Sequence, residues 1–188
     1  MKQKLKKLLL LALTSFLLVS NPLSIQVQAA KSGSKQKPYS AYKSRIVDVY
    51  GARYYGRAKI KLLDYKDGNK AYKYLKKHGI KKKAGNSKEY VYLKFKIDYI
   101  EGEELLPADI ILTPYSSYYD SECEKQLETK KVKCKDGVQD LTKTTIFPGE
   151  SVICKQAFLI DSESLPITYM VYGYDDNGKP METWFKTE

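Results

Sequence analysis

The chain has 188 residues, with 33 lysines and arginines against 22 aspartates and glutamates, one histidine, three cysteines and 17 tyrosines. A single histidine excludes a histidine-rich metal site. With 43% hydrophobic and 29% charged residues, this is the composition of one foldable globular domain and not of a disordered chain.

The N-terminus carries Lys2, Lys4, Lys6 and Lys7, then an apolar run from Leu8 to Val19 broken only by Thr14 and Ser15, then Asn21 and Pro22. A basic start, a short apolar run and small residues before a cut form the pattern of a secretory signal peptide. The run is too short for the ~20 residues of a spanning helix. With Val27 and Ala29 at the small-residue positions, cleavage is expected after Ala29, with Ala30 as the alternative, so residues 1–29 are read as the signal peptide. No cysteine directly follows the run, and lipid attachment there is not expected. Lysine, serine, glycine and proline without periodicity make residues 30–43 a flexible leader, and residues 44–188 are read as the folded domain.

Short strands are expected at Ser44 to Tyr50 and Arg57 to Tyr65, the second with Lys59 and Lys61 alternating against Ala58, Ile60 and Leu62. After a turn at Asp67, Gly68 and Asn69, the apolar positions Ala71, Tyr74 and Leu75 fall on one helical stripe. Asn69 is the expected N-cap. Lys76, Lys77 and His78 lie in the last turn, where the helix dipole favours cations, and Gly79 fits a left-handed terminator. The clearest strand is Glu89 to Tyr99. Val91, Leu93, Phe95 and Ile97 share one face, and Tyr90, Tyr92, Lys94, Lys96 and Asp98 share the other, which predicts one buried and one wet face.

Asp109 to Thr113, Thr144 to Phe147, Ser151 to Ile160, Thr168 to Tyr174 and Glu182 to Thr187 complete the set. Asn177 and Gly178 turn the last pair into a hairpin. Leu165, Pro166, Ile167 and Thr168 imitate a cell-wall sorting signal, but Tyr169 stands where glycine is needed, so the stretch is read as a loop entering a strand. Seven to eight short strands and one short helix, without a strand–helix rhythm, predict an all-β sandwich.

The ordered phrases Ala58 to Leu63, Lys70 to Lys76, Gly85–Asn86 into Glu89 to Phe95, and Phe147–Pro148–Gly149–Glu150 before a strand ending at Phe158 carry a resemblance. The chain resembles the immunoglobulin-like domains of unknown function found in secreted proteins and lipoproteins of Gram-positive bacteria, which are similar to secreted mycobacterial antigens. The resemblance covers roughly Arg57 to Gly173. It implies an immunoglobulin-like β-sandwich and export, and it brings no catalytic motif. The segment from Tyr115 to Asp140 departs from that pattern.

Charge is unevenly placed. Lys31 to Tyr90 holds 18 basic and 4 acidic side chains, and Val91 to Glu188 holds 11 and 18. The densest cluster is Lys76, Lys77, His78, Lys81, Lys82 and Lys83. Such a patch would concentrate anionic cell-envelope polymer through a field that salt screens, or it is a solvated face. Export makes nucleic acid an unexpected partner. Exposed tyrosines, Tyr90 and Tyr92 among them, would add rigid contact area with a polar tip.

Cys123 and Cys134 flank a charged excursion that a bridge would staple, with Cys134–Cys154 as the competing pairing. Cys154 shares strand parity with Val152 and Phe158, so its thiol is expected in the core. The paired acids Glu103–Glu104 and Asp175–Asp176 sit in turns, and calcium-loop spacing is missing around Asp175 to Asn177. A catalytic triad would have to use His78, expected at the surface.

The expected function is a secreted, non-catalytic binding module without cofactor or metal. Its partner is an anionic cell-wall polymer or an extracellular protein, bound through Lys73, Lys76, Lys77, Lys81, Lys82, Lys83, Tyr90 and Tyr92. The alternative is a secreted protein inhibitor acting through the loop with Cys123 and Cys134.

Overall fold

The computed structural model describes residues 30–50, 55–103, 117–132, 145–175 and 177–188. The expected signal peptide at 1–29 and the expected strand at Asp109 to Thr113 lie outside these residues. So do Cys134, Asp176 and residues 115–116 and 133–140 of the excursion from Tyr115 to Asp140.

Alternation of apolar and polar side chains produces strands in the described chain. These are β1 (Tyr39–Ser40), β2 (Arg45–Tyr50), β3 (Tyr55–Asp67), β4 (Lys88–Gly102), β5 (Ser117–Tyr119), β6 (Lys130–Lys131), β7 (Ser151–Asp161), β8 (Thr168–Tyr174) and β9 (Pro180–Lys186), with one α-helix, α1 (Gly68–Lys77), between β3 and β4. They form a five-stranded sheet in the order β2-β3-β4-β7-β6 and a four-stranded sheet in the order β1-β9-β8-β5. All pairings are antiparallel except β1 on β9.

The two sheets share one core. β4 supplies Val91, Leu93, Phe95 and Ile97, each 0% exposed, and Phe95 meets the ring of Tyr169 from β8 edge-on at 5.3 Å. Tyr169 in turn stacks on Phe185 of β9 at 4.8 Å. Cys154 lies opposite Phe95 and points inward as strand parity requires. Burial pushes its thiol pKa up to about 12, which makes it an inert core residue.

Residues 30–43 depart from the expectation of a flexible leader. Tyr39 pairs with Phe185, and the Ala41 N–H donates to the Lys186 carbonyl at 2.9 Å. The Ala41 carbonyl accepts from the Leu62 N–H at 2.8 Å, so one buried alanine joins β9 of one sheet to β3 of the other. Low hydrophobicity concealed this because the segment adds main-chain hydrogen bonds and a single ring. Tyr39 packs on Phe185 and lies 4.7 Å under the Arg45 guanidinium.

The β8–β9 hairpin is present as expected. The Asp175 carboxylate caps its turn by accepting from the N–H groups of Asn177 and Lys179 at 3.0 and 2.9 Å. At Thr144 to Phe147, only residues 145–147 are described; Ile146 is buried and Phe147 is 51% exposed.

Candidate binding surface

Among the described residues, a helix covers one end of the outer face of the five-stranded sheet. There α1 lays Ala71 and Leu75 on Tyr90, Tyr92 and Ala157, forming a second small core behind the sheet. Two tyrosine pairs tie the helix down. Tyr72 stacks on Tyr90 with centroids 6.0 Å apart, and Tyr74 packs on Tyr92 at 4.5 Å with their hydroxyls 3.3 Å apart. The Lys66 ammonium, paired with Asp64, sits 5.1 Å from the Tyr74 ring and 5.6 Å from the Tyr92 ring, a cation–π arrangement.

This corrects the placement of Tyr90 and Tyr92. The period-two pattern gave them a wet face, but they are 6% and 2% exposed because α1 folds back over that end of β4. They support the basic segment from beneath and are not its contact residues. The helix also begins earlier than the Asn69 cap predicts, with Asp67 at the N-cap and no side-chain capping bond.

The C-terminus of α1 does follow the sequence. Gly79 has φ of 99°, its N–H donates to the Lys76 carbonyl at 3.3 Å, and the Ile80 N–H donates to the Leu75 carbonyl at 3.1 Å. This is the paired-bond terminator that needs a left-handed residue. Ile80 then packs against the small core that holds Leu75. Beyond it the chain stays pinned: the Tyr90 hydroxyl donates to the Lys82 carbonyl at 2.9 Å, and the Lys88 N–H donates to the Gly85 carbonyl at 3.0 Å.

Lys73, Lys76, Lys77, Lys81, Lys82 and Lys83 are all exposed, while His78 is half-buried against Tyr74 at 4.5 Å. The predicted basic residues are thus brought together on the helix and the loop after it. A shallow cleft of about 290 Å³ opens beside them, lined by Asn69, Tyr72, Lys83, Asn86, Lys88 and Tyr90. Lys88 is already paired with Asp161 at 2.7 Å. The sequence pattern does not single out Asn86 or Lys88 as site residues, because only the fold-back of the loop onto β4 gathers them.

Removal of the Tyr90 hydroxyl tests the pinning directly. Tyr90→Phe is expected to cost about 0.5–1.5 kcal/mol and to speed amide hydrogen exchange across residues 80–86, with the β4–β7 ladder unchanged. Uniform exchange in both proteins would show that this bond does not hold the loop.

The cysteine staple is not formed. Cys123 is a free thiol, 2% exposed, packed with Met170 and Trp184 on the outer side of the four-stranded sheet. Its sulfur lies 3.5 Å from Thr168 Oγ1, whose hydroxyl donates to the Asp120 carbonyl. The charged stretch between Cys123 and Cys134 suggested a staple, but in a turn closed by the Cys123 N–H on the Asp120 carbonyl the side chain packs onto the sheet beside Met170 and Trp184. Among the described residues, no group of three or more metal-ligating side chains assembles, and no helix is long and apolar enough to cross a membrane.

No protein-family model and no curated protein matches the chain. Two solved structures are similar to it. One is a putative lipoprotein of Bacillus subtilis, 11% identical with a TM-score of 0.40, matched over 77% of this chain and 38% of that one. The other is a putative lipoprotein of Staphylococcus aureus, 11% identical with a TM-score of 0.41, matched over 76% of this chain and 94% of that one. The chain spans well under half the length of the Bacillus protein.

Proposed function

We propose that this protein is a secreted, non-catalytic binding module of the immunoglobulin-like sandwich type that holds anionic cell-envelope polymer. The observation that carries the reading is the exposed run Lys81–Lys83 on a loop whose backbone is fixed at its start and its middle. The Gly79–Ile80 terminator anchors its start, and the Tyr90 hydroxyl anchors its middle. A loop already ordered loses little conformational freedom on binding, so more of its electrostatic attraction is expressed as affinity. Lys73, Lys76 and Lys77 extend the same positive field along α1. Lysines near an anionic surface contribute about 1 kcal/mol each, and that attraction fades as the Debye length falls toward ~3 Å at 1 M salt.

The test is retention of the purified protein on isolated cell walls at low and high salt. A variant with Lys81, Lys82 and Lys83 changed to alanine is expected to lose at least ~10-fold of the low-salt retention, by the lysine contributions just given. Wild-type retention is expected to disappear at 1 M salt. A variant retained as strongly as the wild type would reduce the run to a solvated face, and salt-insensitive retention would redirect the search to an extracellular protein partner.

A further inference from the structure

The end of the five-stranded sheet that α1 leaves open carries a lattice of lysines with an unusual register. On that outer face Lys61 of β3 stands directly opposite Lys96 of β4, and in the next row Lys94 of β4 stands directly opposite Lys155 of β7. Like charges directly opposed across a ladder destabilise a sheet. Two such pairs lie in adjacent rows of this face.

Two acids on this face offset that cost in part, and Asp64 stands directly opposite Lys94 across the β3–β4 ladder. Asp64 is paired with Lys66, and Asp98 is paired with Lys96 at 2.9 Å and accepts from the Ser151 hydroxyl at 2.5 Å. Among the described residues Lys61, Lys94 and Lys155 form no ion pair. On this face Ile46 is 60% exposed, Ile153 beside Lys96 is 37% exposed, Lys59 and Lys61 are exposed, and Lys94, Lys96 and Lys155 are half-buried.

We propose that this face, centred on Lys61, Lys94, Lys96 and Lys155, is a docking surface for a linear phosphodiester polymer lying across the strands. The inference rests on the reading that the ligand is an envelope polyanion, and it adds the polymer's chemistry and a second place where it lies. Charge complementarity carries the assignment. Neighbouring ammonium groups on one sheet face are rooted ~4.8 Å apart across strands and ~6.8 Å apart along them. A chain with one negative charge per repeat can thread such a lattice and relieve both opposed pairs at once. The cations are all lysines, which meet phosphate as point charges from any direction, whereas planar carboxylates favour the two-pronged fit of arginine. The nearby Arg57 is occupied by Asp48 and Glu101 at 3.0 and 2.9 Å.

The experiment titrates the intact protein with a synthetic glycerol-phosphate polymer and, separately, with polyglutamate at two salt concentrations. It compares wild type with a sheet variant (Lys61→Gln, Lys94→Gln, Lys155→Gln) and a loop variant (Lys81→Gln, Lys82→Gln, Lys83→Gln). The sheet variant is expected to bind the phosphate polymer at least ~10-fold more weakly. Its slope of log affinity against log salt should be shallower by ~2, because each phosphate that a lysine neutralises adds about 0.7 to that slope. It is expected to melt no lower than wild type, because neutralisation removes both opposed pairs.

A sheet variant that binds like wild type, while the loop variant loses binding, overturns the docking face and leaves the proposed function standing. Equal affinity for polyglutamate overturns the phosphate assignment. A sheet variant that melts well below wild type makes these lysines structural and overturns the inference. Absence of binding by wild type to either polymer at low salt removes this surface and the proposed envelope function together.

Discussion

Phe95→Ala is expected to destabilise the protein by about 3–5 kcal/mol, the range for deleting a large aromatic side chain from a closed core. Phe95 is 0% exposed at the centre of β4, with β3 and β7 paired on either side of it. Its ring also reaches across the sandwich to Tyr169. One truncation therefore removes packing within the five-stranded sheet and the ring pair that joins it to the four-stranded one. On one side β7 is held in register with β4 by a continuous ladder from Lys88 to Asp98, so collapse into the space is limited and most of the cavity cost remains. Urea unfolding should show a lower midpoint with an unchanged slope, the sign of reduced stability without a change in exposed surface. A midpoint within the error of wild type would mean that the two sheets do not close on this ring.

The core was the part most legible in the sequence, and the reason is local. Along β4 the alternation of Val91, Leu93, Phe95 and Ile97 is a property of neighbouring residues, and strand geometry converts it into one buried face without reference to the rest of the chain. The same holds for Cys154, whose parity with Phe158 placed it inside, and for the Asn177–Gly178 turn. The end of α1 was legible too, because a glycine after a lysine-rich last turn specifies its own termination.

Sequence and structure part where a distant segment decides the outcome. Tyr90 and Tyr92 obey the same alternation as Lys94 and Lys96, and only the return of α1 over one end of the sheet separates buried tyrosines from half-buried lysines. Residues 37–41 have no hydrophobic period, yet they complete a sheet edge because β9, far away in the chain, offers unpaired main-chain groups. The lysine lattice was half visible. Lys59 and Lys61 share one side of β3 and Lys94 and Lys96 one side of β4, but the opposition of Lys61 to Lys96 and of Lys94 to Lys155 is a matter of register. A bulge between Leu62 and Asp64 brings Asp64 opposite Lys94 in the same way, and no spacing within a single strand reports it.

Gly173→Ala is expected to be destabilising out of proportion to the single methyl group it adds. Gly173 lies on β8 with the parity of Tyr169 and Val171, the face that meets the five-stranded sheet. A Cβ at this position would stand 2.2 Å from the Asp48 carbonyl oxygen and 2.8 Å from its carbon. Both are main-chain atoms of β2, so no side-chain rotation can make room. β2 must move instead, and it is held along its whole length by pairing to β3, from Arg45 opposite Ile60 to Tyr50 opposite Tyr55. It is also tied at Asp48 to Arg57, which reaches on to Glu101. Overpacking costs ~1–3 kcal/mol where side chains can adjust and more where they cannot, so a loss of about 3 kcal/mol is expected from that range. Because the insult falls at β2, amide exchange should rise there and in the facing half of β3 while α1 and its lysine loop stay protected. Polyanion binding, referred to folded protein, should therefore be unchanged. An alanine variant with wild-type melting temperature would falsify the close approach of β8 to β2, whereas a destabilised variant that also failed to bind would show that the two ends of the five-stranded sheet are energetically coupled.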